Sequence, residues 1–263
     1  MDLNLSGRRA FVSGSTQGIG FAIARALLGE GASVIINGRR RDRVEAAVEK
    51  LRAEFPDGTI AGRAADFARA DEVAALLESL GDIDIVVNNV GLFGVSPFDS
   101  VSDEEWQRYF DVNVMSGVRL SRHELPGMLA RKWGRIIFIG SESGVNIPAD
   151  MVHYGMTKAG MLAVSNGLAK LTRGTQVTVN TVLGGPTFSD GVADAISAIA
   201  TGQGMPADDL KSAVIAQNQT SLLQRFIEPG EIANLVLYLA SPLSSATNGA
   251  AVRADGGVLT AMI

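Results

Sequence analysis

The sequence contains no cysteine and only two histidines, and these absences restrict the kinds of site it can form. Without thiols there are no disulfides, no cysteine nucleophile and no cysteine-bound zinc. We interpret His123 and His153 as surface residues rather than ligands. No H-E-x-x-H pattern or equivalent occurs, so we expect no metal site.

Excess basic charge and long apolar runs are lacking as well. The formal net charge is −5, which argues against broad nucleic-acid binding. No apolar run reaches the roughly 18 residues of a membrane-spanning helix. The opening residues, MDLNLSGRRAFVSG, do not have the basic and apolar regions of a signal peptide. We therefore expect a cytoplasmic protein that binds neither membranes nor nucleic acids.

Short β-type runs alternate with longer helical patterns along the whole chain. Several runs, such as IDIVV and RIIFIG, are continuously apolar, which is typical of parallel strands covered on both faces. This alternation predicts an α/β fold with a doubly wound parallel sheet and helices on both faces. No linker or repeat interrupts it, so we expect a single domain, 1–263. The predicted strands are 10–13, 33–37, 60–64, 83–88, 135–139, 176–182 and 250–253.

One long segment, 184–226, departs from this alternation. It follows the sixth predicted strand and carries two short helical patterns, at about 190–200 and 206–217. Long insertions in compact domains are often lids, and ligands bind at the carboxyl ends of strands in open α/β sheets. We therefore interpret 187–220 as a substrate lid rather than a mobile surface excursion.

A glycine-rich loop, SGSTQGIG at 13–20, lies between the first strand and the first helix. Gly14, Gly18 and Gly20 permit a tight turn and close approach to a pyrophosphate, with the helix N-terminus behind them. The spacing is G-x-x-x-G-x-G rather than the standard G-x-G-x-x-G. A plain glycine turn is the alternative.

The end of the second strand, VIINGRR, bears on the type of cofactor. An NAD site places a carboxylate there, whereas an arginine accommodates the 2′-phosphate of NADP. Gly38 stands at the carboxylate position and Arg39 follows, which favours NADP. Because Gln17 adds no second cation, NAD stays an alternative. The arginines could also be a solvated helix start.

Three further positions are candidates for cofactor contacts. Asp66 ends the third strand and could meet the adenine amino group or cap the next helix. Asn88 and Gly91, in NNVG after the fourth strand, stand where the backbone would pass close to a ribose. A polar turn is the alternative for this motif.

The candidate chemistry centres on Tyr154 and Lys158, four residues apart on a predicted helix. A lysine one turn away would lower the pKa of the phenol and prepare it for proton transfer. Ser141 ends the preceding strand, so all three can converge at the ligand crevice, where Ser141 would donate to a substrate oxygen. Asn113 could join them by holding a water. Each residue also has an ordinary structural interpretation; the Tyr–Lys pair, for example, could be a surface pair.

In this order, these motifs resemble the short-chain dehydrogenase/reductase family, and the general likeness is to 3-oxoacyl-carrier-protein reductases. The resemblance covers nearly the whole chain. It implies a Rossmann-like seven-stranded sheet, a nicotinamide cofactor, a carbonyl or secondary-alcohol substrate, and a homotetramer. A non-catalytic nucleotide-binding regulator on the same fold is the alternative. The implied catalytic residues are Asn113, Ser141, Tyr154 and Lys158; the implied cofactor contacts are Gly14, Ser15, Gly18, Ile19, Gly20, Arg39, Asp66, Asn88, Gly91, Tyr154, Lys158, Gly185 and Thr187.

The chain departs from the family pattern at the turn after the sixth strand. Gly184 replaces the usual proline of a Pro-Gly motif, which we expect to loosen the turn and to affect lid ordering more than chemistry.

Overall fold

The computed structural model describes residues 2–218 and 220–262, and the centre of the described part is one sheet of seven parallel strands. Across the sheet their order is β3-β2-β1-β4-β5-β6-β7, which confirms the predicted doubly wound architecture. Every predicted strand is present, with its ends within two residues. The strands are β1 (Arg9–Val12), β2 (Ser33–Gly38), β3 (Ile60–Ala64), β4 (Ile85–Asn88), β5 (Trp133–Ser141), β6 (Gln176–Gly184) and β7 (Ala251–Ala254).

Helices cover both faces of the sheet, because alternate side chains of each strand point to opposite sides. Val12 packs into one apolar cluster and its neighbour Phe11 into the other. The helices α1, α2 and α9 contribute to the first cluster, and α3, α5 and α6 to the second. In the described residues the helices are α1 (Gly18–Gly29), α2 (Arg41–Glu54), α3 (Ala70–Leu80), α4 (Asp103–Tyr109), α5 (Met115–Arg131), α6 (Val152–Lys170), α7 (Asp190–Gln203), α8 (Ala207–Gln217) and α9 (Pro229–Ala240).

The strand order reverses between β1 and β4, and both strands pair in parallel there. A reversal of this kind opens a crevice at the carboxyl ends of the strands, because the following loops diverge to opposite faces. The loops after β1, β4 and β5 all meet at this edge. The fold thus brings the glycine loop and the residues around Ser141 to one place.

Residues 103–131 form two helices rather than one continuous helix. A π-helical turn, Phe110–Val114, separates α4 from α5 and contains the buried Asn113. Turns of this type often occur at functional sites. In the lid segment, the residue bounds of α7 and α8 agree closely with those of the two predicted helices. No helix of the described chain is long and apolar enough to cross a membrane.

Candidate active site

The glycine loop turns sharply between β1 and α1, and its backbone explains the glycines. Gly14 and Gly18 each have φ of 60°, in the left-handed region that favours glycine. A Cβ on Gly20 would lie 2.4 Å from the Gly14 carbonyl oxygen, so a side chain cannot fit there. Ser15 faces inward and donates to the Val12 carbonyl oxygen at 2.6 Å. Ile19, in the first turn of α1, packs partly against the first apolar cluster.

Two asparagines that the sequence motifs did not single out hold this loop in place. Asn37 accepts a hydrogen bond from the Gly14 amide at 3.2 Å. Asn89 donates from Nδ2 to the carbonyl oxygens of Ser13 and Gly14, at 3.0 and 2.8 Å. The loop is therefore tied to the ends of both β2 and β4. Asn89 belongs to the NNVG motif, whereas the signal for Asn37 was polarity at the end of an apolar strand.

Asn88, in the NNVG motif, directs its side chain into the protein, and the expected approach of its backbone to a ribose stays a prediction. Its side chain is buried, and Nδ2 donates weakly to Ser121 on α5 at 3.4 Å. Gly91 does lie beside the predicted chemistry, since a Cβ on it would be 3.6 Å from Lys158 Nζ and 3.7 Å from Asn113 Oδ1. Asn88 is the last residue of β4, whereas Gly91 lies in the loop that follows this strand.

The end of β2 is crowded at Gly38 and open at Arg39. A Cβ on Gly38 would lie 2.6 Å from Thr16 Cγ2, so the carboxylate of an NAD-type site cannot be placed there without moving Thr16. Arg39 is exposed and lines a groove with Arg41 and Arg63. Three arginines and one carboxylate, Glu72, thus line the groove where a 2′-phosphate was predicted.

Asp66 has a local capping role in the structure. Its Oδ1 accepts from the Ala68 amide at 2.9 Å, which closes a turn before α3 rather than capping the helix itself. The adenine contact stays a prediction.

Tyr154 and Lys158 lie in the first two turns of α6, with Lys158 Nζ 5.6 Å from the centroid of the tyrosine ring. The amine is buried and donates to the Ile139 carbonyl oxygen at 2.9 Å. Burial lowers the pKa of Lys158 to about 8, while the charge of Glu142 raises it. Lys158 is buried and Tyr154 partly buried, so the two are not a solvated surface pair.

The expected lowering of the tyrosine pKa does not occur in this arrangement. Burial raises the pKa of Tyr154 to about 12; the Ser141 hydroxyl opposes the shift, whereas Glu142 and Tyr109 add to it. The lysine amine is directed to a backbone carbonyl rather than to the phenol. As a result, the phenol keeps its proton throughout the neutral range and is suited to donate it.

Ser141 is buried at the end of β5, and its hydroxyl interacts with the next side chain. It donates to Glu142 Oε2, and the Ser143 amide donates to the same oxygen at 2.7 Å. The sequence motifs drew attention to the serines but not to the glutamate between them. Its position beside Ser141 in the chain was the available signal.

Asn113 uses its side chain to join two segments of the crevice. Its Oδ1 accepts from the Leu92 amide at 2.6 Å, and Nδ2 donates to the Leu92 carbonyl oxygen and to Thr157 Oγ1, each at 2.9 Å. Both amide hydrogens are thus engaged within the protein. The side chain connects the loop after β4 to α6, one residue before Lys158.

The lid segment begins at a constrained turn. Gly184 is the last residue of β6 and pairs with both Ser141 and Ala254, so the strand holds it in spite of the missing proline. A Cβ on Gly185 would lie 2.5 Å from the Asp255 carbonyl oxygen, which makes glycine necessary there. Thr187 is buried and donates to the Gly185 carbonyl oxygen at 2.9 Å.

The lid contacts the glycine loop directly. Asp190, the first residue of α7, accepts from the Gly18 amide at 2.6 Å. An anionic group at the N-terminus of α1 is favoured by the helix dipole and the unpaired amides. This residue was not identified from sequence, because nothing in the pattern links it to position 18.

The histidines differ from their sequence interpretation in one case. His153 is buried, not exposed, and its ring packs edge-on against Tyr109 with centroids 4.4 Å apart. His123 is partly exposed and contacts Glu124 at 3.1 Å. Within residues 2–218 and 220–262, no cluster of acidic and histidine side chains could hold a metal ion.

Comparison with known proteins places these features in a family. The family model for short chain dehydrogenases matches residues 8–199. The uncharacterized oxidoreductase YvrD of Bacillus subtilis is 46% identical, and the match covers 100% of both chains. The 3-oxoacyl-[acyl-carrier-protein] reductase FabG of Aquifex aeolicus is 30% identical over 98% of this chain and 100% of its own.

A solved structure agrees with these sequence matches. The crystal structure of L-sorbose reductase from Gluconobacter frateurii, complexed with NADPH and L-sorbose, superimposes with a TM-score of 0.94 at 31% identity over 100% of both chains. The predicted resemblance is confirmed across the glycine loop, the sheet and the region of Tyr154. The chain belongs to the short-chain dehydrogenase/reductase family.

Proposed function

We propose that this protein is an NADP(H)-dependent oxidoreductase that interconverts a carbonyl compound and a secondary alcohol. The observation that carries the proposal is the convergence of Ser141, Tyr154 and Lys158 beside the glycine loop at the strand reversal. That edge is where open α/β sheets bind ligands. The complex of the L-sorbose reductase with NADPH and a ketone supports the same assignment.

The residues of the crevice fit a dinucleotide. The glycines at 14 and 18 shape a tight turn at the N-terminus of α1, and the absence of a side chain at Gly20 lets the loop pack closely against that helix. Asp190 already places an anionic oxygen on the Gly18 amide, as expected of an anion-binding helix N-terminus. When bound, the nicotinamide would supply the hydride chemistry.

The chain's own residues would bind the carbonyl and supply the proton. Ser141 would donate a hydrogen bond to the substrate oxygen, and the phenol of Tyr154 would give that oxygen its proton. Lys158, held by the Ile139 carbonyl, would stabilise the resulting phenolate and bind the ribose. Asn113 would position the loop after β4, and a relay water would use its main chain, because both amide hydrogens are engaged.

The lid would exclude water from this chemistry. Its first helix, α7, begins against the glycine loop, where Asp190 contacts Gly18, and Thr187 just before it would approach the carboxamide. Closed lids strengthen the electrostatic interactions inside a site because they remove competing solvent.

The preference for NADP rests on Arg39 and the crowding at Gly38. We expect wild-type kcat/KM to favour NADPH over NADH, because an arginine fork matches a phosphate and no carboxylate holds the 2′-hydroxyl. Arg39→Asp should reverse this preference by repelling the phosphate. Arg52→Asp, an exposed arginine on α2 outside the groove, is the matched control. Steady-state kinetics with both cofactors checks the assignment, and a wild-type preference for NADH would contradict it.

A further inference from the structure

Glu142 is a carboxylate inside the crevice that the proposed mechanism does not use. Its Oε2 accepts hydrogen bonds from the Ser141 hydroxyl and the Ser143 amide. Among the ion pairs of the described residues, none includes this side chain. The residue is only partly exposed. A carboxylate without a cationic partner thus lies one residue from the serine that is to bind the substrate.

The single proton of Ser141 links this carboxylate to substrate binding. A serine hydroxyl donates one hydrogen bond, and here it donates to Glu142. If Ser141 turns to donate to a substrate carbonyl, Glu142 loses a donor. A partly buried carboxylate is stabilised when another donor replaces the lost one. The substrate itself is the nearest source of such a donor.

The charge of Glu142 also extends over the reacting groups. It raises the pKa of both Tyr154 and Lys158, so its charge acts on the phenol proposed as proton donor and on the buried amine beside it. A carboxylate on the substrate close to the carbonyl would be repelled. An ammonium group on the substrate would be repelled by the buried amine of Lys158, which carries a charge of the same sign. A neutral hydroxyl group satisfies Glu142 without either conflict.

We propose that Glu142 determines substrate specificity by accepting a hydrogen bond from a hydroxyl group on the carbon next to the reacting carbonyl. The substrate class is therefore the neutral α-hydroxy ketones and the corresponding vicinal diols. This inference rests on the proposed function, because it assigns the substrate of the same site.

The test compares two ketones of the same size, hydroxyacetone and 2-butanone, in which a hydroxyl group replaces a methyl group. We expect the kcat/KM ratio of hydroxyacetone to 2-butanone to fall by about tenfold or more in Glu142→Ala, the size of one hydrogen bond to a charged group. Glu142→Gln, which keeps the shape and a neutral acceptor, should lie between. Glu78→Ala, an exposed glutamate on α3, should keep the wild-type ratio.

Acetoacetate, a ketone with a negative charge, tests the predicted repulsion by Glu142 in the same experiment. Its carboxylate should be disfavoured in the wild type, and removal of the Glu142 charge should raise its kcat/KM relative to 2-butanone. NADPH titration of each variant reports whether the fold and cofactor site are intact. Equal ketone ratios in wild type and both Glu142 variants, with turnover retained, would overturn this inference alone. No turnover of any ketone by the wild type would contradict the proposed function and remove this inference with it.

Discussion

A buried lysine and a partly buried tyrosine, whose pKa values shift in opposite directions, lie at the centre of the crevice. Burial disfavours the charged form of each, so it lowers the pKa of Lys158 to about 8 and raises that of Tyr154 to about 12. Glu142 raises both values through its negative charge. Around neutral pH the amine is mainly charged while the phenol stays protonated, which is the combination that carbonyl reduction requires.

The pH dependence of reduction should therefore follow the lysine. We expect kcat/KM for ketone reduction to fall as pH rises through about 8, because Lys158 then loses its charge while Tyr154 is still protonated. Glu142→Gln should move this limb to lower pH, since the carboxylate supports the charged amine. A profile from pH 6 to about 10 checks this. An activity that stays level up to about pH 10 would contradict the role assigned to Lys158.

Sequence spacing predicted which residues converge, but not how their hydrogen bonds are arranged. Ser141, Tyr154 and Lys158 could be named because strand ends and following helices share one edge of the sheet. The hydrogen bond from Ser141 to Glu142 could not be predicted, because it depends on side-chain rotamers at one turn. The engaged amide of Asn113 likewise depends on a π-helical turn that no periodicity revealed.

At the scale of elements, the role of the glycine loop in cofactor binding can be tested directly. In Gly20→Ala the new Cβ would lie 2.4 Å from the Gly14 oxygen and 2.5 Å from Asn89 Nδ2, so the loop must shift. We expect a loss of about 1–3 kcal/mol in the free energy of unfolding, as for overpacking, and weaker NADPH binding. Denaturant unfolding and NADPH titration measure the two effects.

The matched control is Gly167→Ala in the interior of α6, where a Cβ meets nothing within 4 Å. That change should stabilise the protein by about 0.5–1 kcal/mol, because alanine favours helix. If Gly20→Ala bound NADPH as tightly as the wild type, the loop would not be the cofactor-binding loop that we infer.

Strands were predictable to within two residues because buried parallel strands are continuous apolar runs. The conformation of the turn at the start of the lid was not predictable in the same way, because the sequence interpretation considered only the conformational freedom of Gly184 itself. In the structure two neighbouring strands fix it through Ser141 and Ala254. Backbone freedom at a glycine is thus limited by its pairing, which sequence alone did not reveal.

At the scale of the whole molecule, exposed apolar side chains can probe the predicted assembly. Leu222 is 82% exposed and Met262 99% exposed. Contiguous apolar patches mark interaction sites, whereas single exposed apolar side chains are common, so a substitution has to decide whether these positions are buried by a partner.

The resemblance implies a homotetramer, and substitution of an exposed apolar side chain tests this assembly. We expect a tetramer by light scattering at micromolar concentration and a smaller assembly in Leu222→Glu, because a buried charge without a partner is costly. Glu45→Gln, an exposed change on α2, should leave the mass unchanged. A monomeric wild type would contradict the predicted assembly.

The central claim is that Tyr154 transfers the proton in an NADPH-dependent reduction, and ketone-dependent oxidation of NADPH tests it most directly. Tyr154→Phe keeps the ring and removes the hydroxyl group, so we expect turnover to fall by roughly 10²–10⁴-fold while NADPH still binds. Tyr238→Phe, a partly exposed tyrosine on α9, should keep the wild-type rate. A Tyr154→Phe variant that retained most of the wild-type rate would contradict the account.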